Sequence, residues 1–144
     1  MGWYLNSISN PKERTLAARV FKVSAQRCIK MKPEDPLAHQ LLGRYFFFVA
    51  DLNWFERKVA KQFLGEKMEA SYDEAEAEIL RGHKLQDWLP TGLWMARVLH
   101  AKKRPLEEVK HWIDYGLKQP CLEPTTEIER CELLELQAKL KLSN

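Results

Sequence analysis

No stretch of this sequence approaches the ~20 consecutive apolar residues that a bilayer-spanning helix needs. Its longest apolar run, Tyr45 to Ala50, is stopped by Asp51. The N-terminus lacks the charged, apolar and small-residue layout of a secretory signal. Cysteine is scarce: Cys28, Cys121 and Cys131 form an odd set with no C-x-x-C pair, which argues against a disulfide framework or a zinc knuckle. A reducing, cytoplasmic setting is therefore expected, with no transmembrane segment. The histidines at 39, 83, 100 and 111 show no spacing suited to a metal. Neither a G-x-S-x-G elbow nor a phosphate-cradling glycine loop occurs. A net charge of +3 and a pI near 8.7 are mildly basic, short of what a nucleic-acid binder carries. These absences predict a protein that is not an enzyme, has no metal or cofactor, and does not bind nucleic acid.

What is present is enough for one folded domain: 144 residues, 45% apolar and 30% charged. Residues 1–10 read as an N-terminal extension and 11–144 as a single helical domain. No segment alternates like a strand, whereas helix starts and stops recur. Asn10-Pro11-Lys12-Glu13 opens a first helix, with Ala17, Phe21, Ala25 and Cys28 on one stripe, ending at Pro33. Asp35-Pro36 opens a second. Asn53 opens a third, with Phe55, Val59 and Phe63 on one face and Gly65 as its stop. Ser71-Tyr72-Asp73-Glu74 is a capping box for a fourth helix, ending near Leu85. Pro90-Thr91 begins a fifth, closed by the turn Lys102 to Arg104. Pro105 opens a sixth, and a capping box Thr126 to Glu129 opens a seventh.

Part of this pattern repeats. YDEAEAEILRGHKLQ from Tyr72 aligns with LEEVKHWIDYGLKQP from Leu106, and the interval from 75 to 109, 79 to 113 and 82 to 116 is 34 each time. That is the period of the tetratricopeptide repeat, a two-helix unit. Gly82 and Gly116 then mark points where helices approach closely. His39, Leu42, Gly43 and Phe46 fit the first-helix half of the motif. The segment DLNWFERKVAKQFLGEKMEAS reads as an extra helix wedged between the halves of one repeat. The expected fold is all-α: a tetratricopeptide-like helical-repeat solenoid (an α-α superhelix) of about seven helices with one inserted helix.

The frame also assigns the aromatics. Phe46 falls at an interior position, and the inserted helix gives Trp54, Phe55 and Phe63 something to cover. Phe47 and Phe48 point toward the neighbouring repeat and the concave surface, packed in the core or facing a ligand. His39 is expected to be packed and Cys28 inertly buried. The carboxylates Glu107, Glu108, Glu127 and Glu129 sit in first helical turns, where the helix dipole favours them. The first helix looks like the second half of a repeat without its partner, so its exposed apolar stripe predicts self-association.

The stretch KPEDPLAHQLLGRYFFFVADLNWFERKVAKQFLG followed by SYDEAEAEILRGHKLQ resembles the regulator of microtubule dynamics family, in its AHQLLGR and WFERK segments above all. The resemblance covers Arg14 to Leu142. It implies a cytoplasmic, tetratricopeptide-like domain associated with microtubules and the spindle. Some members sit on organelle membranes, which makes lipid or small apolar ligand binding at membrane contacts the alternative function. The sequence departs from the family pattern at Glu66-Lys67-Met68-Glu69, where relatives tend to have prolines, and at Ala96 and Leu99 in the fifth helix.

Binding residues follow from the repeat frame. Arg44 and Arg97 come next after the close-approach residues Gly43 and Ala96, on the side that lines the concave face of such a repeat. Two guanidiniums there suit carboxylates, although each also has local glutamates to pair with. Together with the resemblance, this predicts a protein partner, tubulin or microtubules, held through acidic segments by Arg44 and Arg97, with Phe47 and Phe48 in apolar contact. The basic turn containing Lys102, Lys103 and Arg104 is a second candidate surface, with plain solvation as its blander explanation.

Overall fold

In the computed structural model, which describes residues 10–65 and 68–142, polar caps fix the helix starts. Asn10 Oδ1 accepts the Lys12 N–H at 2.9 Å and opens α1 (Pro11–Met31). Asp35 Oδ1 accepts the Leu37 N–H at 3.0 Å and opens α2 (Pro36–Ala50). Asn53 Oδ1 accepts the Glu56 N–H at 2.8 Å and opens α3 (Trp54–Leu64), which Gly65 ends at φ +72°. Both arms of the capping box open α4 (Tyr72–Leu85): Ser71 Oγ accepts the Glu74 N–H at 3.1 Å, and the Ser71 N–H donates to Glu74 Oε1 at 3.2 Å. Then come α5 (Leu89–Ala101), α6 (Leu106–Lys118) and α7 (Pro124–Lys139). No strand occurs among the described residues, and the all-α expectation holds.

The seventh helix starts earlier than its sequence signal. Its capping residues are Glu123 and Thr126, where Thr126 Oγ1 accepts the Glu123 N–H at 3.4 Å. Pro124, with its fixed φ and no N–H to satisfy, takes the first turn. Glu129 consequently lies in the second turn. The fifth helix ends in paired bonds from the Lys103 N–H to the His100 carbonyl and from the Arg104 N–H to the Leu99 carbonyl, both 3.0 Å. Lys103, at φ 58°, holds the left-handed position that glycine usually fills in this motif.

The chain divides after Gly82 into two compact units. In the first, Ala18, Phe21 and Ala25 of α1 pack with Leu42, Tyr45 and Val49 of α2, Ala60 of α3 and Met68. Fully burying a side chain such as Phe21 or Leu42 contributes about 1.5–3 kcal/mol. Phe46 and Phe48 are half-buried against this core. In the second unit, the interior is built from Leu89, Leu93, Met95, Val98 and Leu99 of α5, Val109 and Ile113 of α6, and Leu133 of α7.

Two expectations are corrected here. Cys28 is exposed rather than buried; the core at this level is met instead by its neighbour Ile29, and Cys28 lies off that stripe. The inserted helix does not cover its aromatics: Trp54 is 72% and Phe55 62% exposed, and Phe63 is exposed as well. The inward stripe of α3 is formed instead by Arg57, Ala60 and Leu64. The small Ala60 is what fits against the α1–α2 core. Arg57 fastens the insertion: Nη2 donates to the Val49 and Ala50 carbonyls (3.0 and 3.2 Å), Nε to that of Leu52 (3.1 Å) and Nη1 to that of Met68 (3.4 Å). These include final carbonyls of α2, which have no partner within their own helix. The departure at Glu66 and Lys67, like residues 1–9 of the extension, lies outside the described residues.

The repeat is real at the level of atoms. A Cβ on Gly82 would stand 2.9 Å from the Pro36 carbonyl oxygen, and one on Gly116 3.2 Å from that of Leu89. Gly82 and Gly116 are 34 positions apart, whereas Pro36 and Leu89 are 53 apart. The same backbone contact recurs in each unit, and the additional separation is the inserted helix. The α5–α6 crossing is tightest: a Cβ on Gly92 would meet Gly116 Cα and the Trp112 carbonyl oxygen, both at 2.6 Å.

Gly92→Ala should therefore cost about 1–3 kcal/mol in urea unfolding, as overpacking against backbone does. Gly65→Ala meets no atom within 4 Å and should lose only about 1–2 kcal/mol, from its left-handed φ. An unchanged midpoint for Gly92→Ala would show that the close crossing is not a constraint.

Candidate functional site

Arg44 lies on α2 in the first unit and is buried, its Nη2 donating to Gln40 Oε1 at 2.7 Å one turn earlier. Phe47 and Phe48, the next turn along, are half-buried. The Phe47 ring stands 5.8 Å from that of Tyr72. The Arg14 guanidinium lies over the Phe48 ring at 5.3 Å, adding a cation–π contact. Arg97 lies on α5 in the second unit. Its guanidinium rests on the Trp94 ring at 4.8 Å and faces Glu132 Oε2 of α7 at 3.4 Å. Each arginine thus has local company, and Arg97 is the more accessible of the two.

At the basic turn, Arg104 forms a fork with Glu108: Nε donates to Oε2 at 3.0 Å and Nη2 to Oε1 at 2.9 Å. Lys103 is fully on the surface and Lys102 half-buried. The left-handed backbone at Lys103 puts this charge at the apex of the α5–α6 turn.

Two polar clusters carry no spacing signal in the sequence. On α2, His39 is buried as expected. Its Nδ1 lies 2.9 Å from Glu78 Oε2 and its Nε2 2.6 Å from the Pro33 carbonyl oxygen. Both ring nitrogens therefore have a hydrogen-bond partner. Glu78 also pairs with Arg81. The cluster ties α2, α4 and the α1–α2 loop together and is fully committed to that.

In the second unit, the rings of His83, Trp112 and Tyr115 meet edge to face with centroids 5.1, 5.2 and 5.4 Å apart. The Tyr115 hydroxyl donates to Asp87 Oδ1 at 2.9 Å and accepts the Trp88 N–H at 3.2 Å. Burial first, and the Asp87 carboxylate second, push the Tyr115 phenol up from 10.0 to about 12. Tyr72, in the first unit, is raised too, by burial and by its 2.8 Å bond to Asp51. A phenol held protonated at these values is not a base at neutral pH. Among the described residues, no group of three or more His, Cys, Asp or Glu is placed to hold a metal ion. No helix among them is long and apolar enough to cross a membrane.

The Tyr115 cluster has a pH signature. An unfolded tyrosine ionises near 10.0, whereas Tyr115 in the folded chain does so near 12. Between these values the unfolded state has released a proton that the folded state keeps, so stability falls as pH rises through this window. Urea midpoints should drop from pH 10 to pH 12, and Tyr115→Phe should flatten that slope while lowering stability at neutral pH. An equally steep slope in Tyr115→Phe would assign the effect elsewhere.

Comparison with known proteins gives the sequence a family. The family described as Regulator of microtubule dynamics protein 1-3 matches residues 3–141. The chain is 30% identical over 126 residues to Regulator of microtubule dynamics protein 3 of Bos taurus, covering 83% of this chain and 26% of that protein. It is 31% identical over 140 residues to protein 3 of Xenopus laevis, covering 91% and 29%. Against protein 2 of Bos taurus it is 25% identical over 123 residues, covering 84% and 30%. The chain thus spans between a quarter and a third of the length of these relatives. By the extent of the match, it belongs to the Regulator of microtubule dynamics protein 1-3 family.

Proposed function

We propose that this chain is a non-catalytic protein-interaction domain that acts in microtubule dynamics, in the cytoplasm and at the cytoskeleton. The observation that carries the reading is a family match over nearly the whole chain, on an all-helical repeat. Relatives named for microtubule dynamics make tubulin the partner to test. The exposed tails of tubulin are acidic and disordered, so guanidinium and ammonium groups are the chemistry that would hold them.

Within this reading the candidate residues have unequal parts. Arg97 is held flat by Trp94 and exchanges Glu132 for a carboxylate of the partner, a substitution that needs little rearrangement. Lys102 and Lys103 add charge at the turn. Arg104 contributes less, because Glu108 already engages both sides of its fork. Arg44 acts from inside, holding α2 so that Phe47 and Phe48 present their half-exposed edges.

Co-sedimentation with microtubules across a salt series tests the partner and the electrostatics together. Binding should weaken steeply with salt. Arg97→Glu, and separately Lys102→Glu with Lys103→Glu, should each weaken it by about tenfold, in the 1–2 kcal/mol range of a charge contact. Arg44→Gln serves as the control for folding, checked by circular dichroism. Pelleting that is indifferent to salt and to all of these changes would reject the proposal.

A further inference from the structure

Helices α1 and α7 each keep one face away from the interior of their unit, and the two faces match. Thr15, Ala18, Phe21 and Ala25 of α1 point into the first core. The opposite side carries Leu16, Val20 and Val23 at i, i+4 and i+7. All three are exposed, Val20 to 65%. Arg19, Arg27 and Lys30 accompany them on the surface, and Glu13 is the only acidic residue of this helix. On α7, Thr126 and Leu133 point inward. Its outer side carries Ile128 (52% exposed), Cys131, Leu134 and Ala138, with Glu127 and Glu135 beside them. The exposed base there is Lys139, at the far end. One face is therefore apolar and basic, the other apolar and acidic.

The match extends to register. When the helices are laid antiparallel with Val23 opposite Cys131, Val20 falls opposite Leu134 and Leu16 opposite Ala138. In the same register Arg27 meets Glu127 and Arg19 meets Glu135. The two charges of exceptional sign, Glu13 and Lys139, also arrive at the same end. A face presenting the same residues to itself would bring Arg27 and Lys30 against like charges, so charge disfavours pairing of α1 with α1.

We propose that α1 of one copy of this chain docks antiparallel on α7 of a second copy, forming a head-to-tail contact. Such a contact uses different surfaces on its two partners, so each bound copy still offers one free face of each kind. Repeat proteins bury their cores by stacking one helix layer on the next, and this contact continues that stacking from copy to copy. A single pair of helices lies at the small end of stable interfaces, so the association is weak and depends on salt.

Sedimentation velocity of the 144-residue chain over a wide concentration range tests this. The sedimentation coefficient should rise with concentration at low salt and stay monomeric at high salt. Arg19→Glu with Arg27→Glu on α1 should abolish the rise, and so should Glu127→Lys with Glu135→Lys on α7. Mixing these two variants should restore association, because each reversed face fits its counterpart on the other. As an independent measurement, Val23→Cys with Cys28→Ser and Cys121→Ser should cross-link to Cys131 of the next copy under mild oxidation, giving a ladder on a non-reducing gel. A monomer at every concentration and salt, an association untouched by the α7 changes, or no cross-link would each overturn the proposal. Microtubule pelleting is a separate readout, so its failure leaves this one standing.

Discussion

In each unit a glycine on the second helix of a pair sits against a backbone carbonyl on the first, at a distance where a Cβ would intrude. Gly82 does so against Pro36, and Gly116 against Leu89. The consequence is geometric. With no side chain at the crossing, two helix backbones meet directly, and the bulky residues on either side, such as Ile79 and Ile113, are driven into the remaining space, where both are fully buried. A contact between backbones fixes the register of a pair more strictly than interdigitating side chains, which adjust by changing rotamer. The pairing of α2 with α4 therefore survives the insertion of a whole helix between them.

That insertion is held by a different kind of force. Aromatic burial was the natural expectation for a helix carrying Trp54, Phe55 and Phe63, yet these stay in solvent. The attachment is made by Arg57 on carbonyl groups and by the small face of Ala60. Hydrogen bonds from a charged donor to carbonyls at a helix end are worth roughly 1.5–3 kcal/mol each at the upper end, and they are directional. A guanidinium serving four carbonyls sets the angle of α3 as well as its position. The arginine of the WFERK segment thereby has a structural part, fastening the inserted helix.

The parts of the fold that were legible in the sequence are those with local causes. Asn10, Asp35, Asn53 and Ser71 cap the helices their positions announce, because a cap is a contact within three residues. The glycine spacing was legible because it repeats. Cys28 and the aromatics of α3 were misread because their burial depends on which stripe of each helix meets its neighbours, and that is Ile29 on α1 and Ala60 with Leu64 on α3. Thr126 was read as the N-cap, three positions too late, since Glu123 is an uncommon residue at that position. Among the candidate binding residues, the frame placed Arg97 beside a repeat crossing. The Trp94 ring beneath it lies one turn earlier on the same helix, whereas Glu132 across from it comes from the packing of α5 on α7. The cluster of His83, Asp87 and Tyr115 has no sequence signal, as its members are brought together over about thirty residues by packing within the second unit.

Net charge is the quantity that hides most in this chain. A value of +3 describes a nearly balanced protein, and as a bulk property it says little about partners. The balance is an average over faces of opposite character, because helices sort their side chains by angle. Along α1 nearly every charge is positive, while on the outer side of α7 the acids outnumber the bases. Segregation of this kind matters for an adaptor whose proposed partner is a polymer. A lattice repeats its acidic segments at fixed intervals, and a chain that associates weakly with its own copies engages several of them at once. Linked contacts then gain affinity from effective concentration without any single site being strong. A modest guanidinium site such as Arg97 on Trp94 would suffice under those conditions, and a tight one would hinder the exchange that dynamic filaments require.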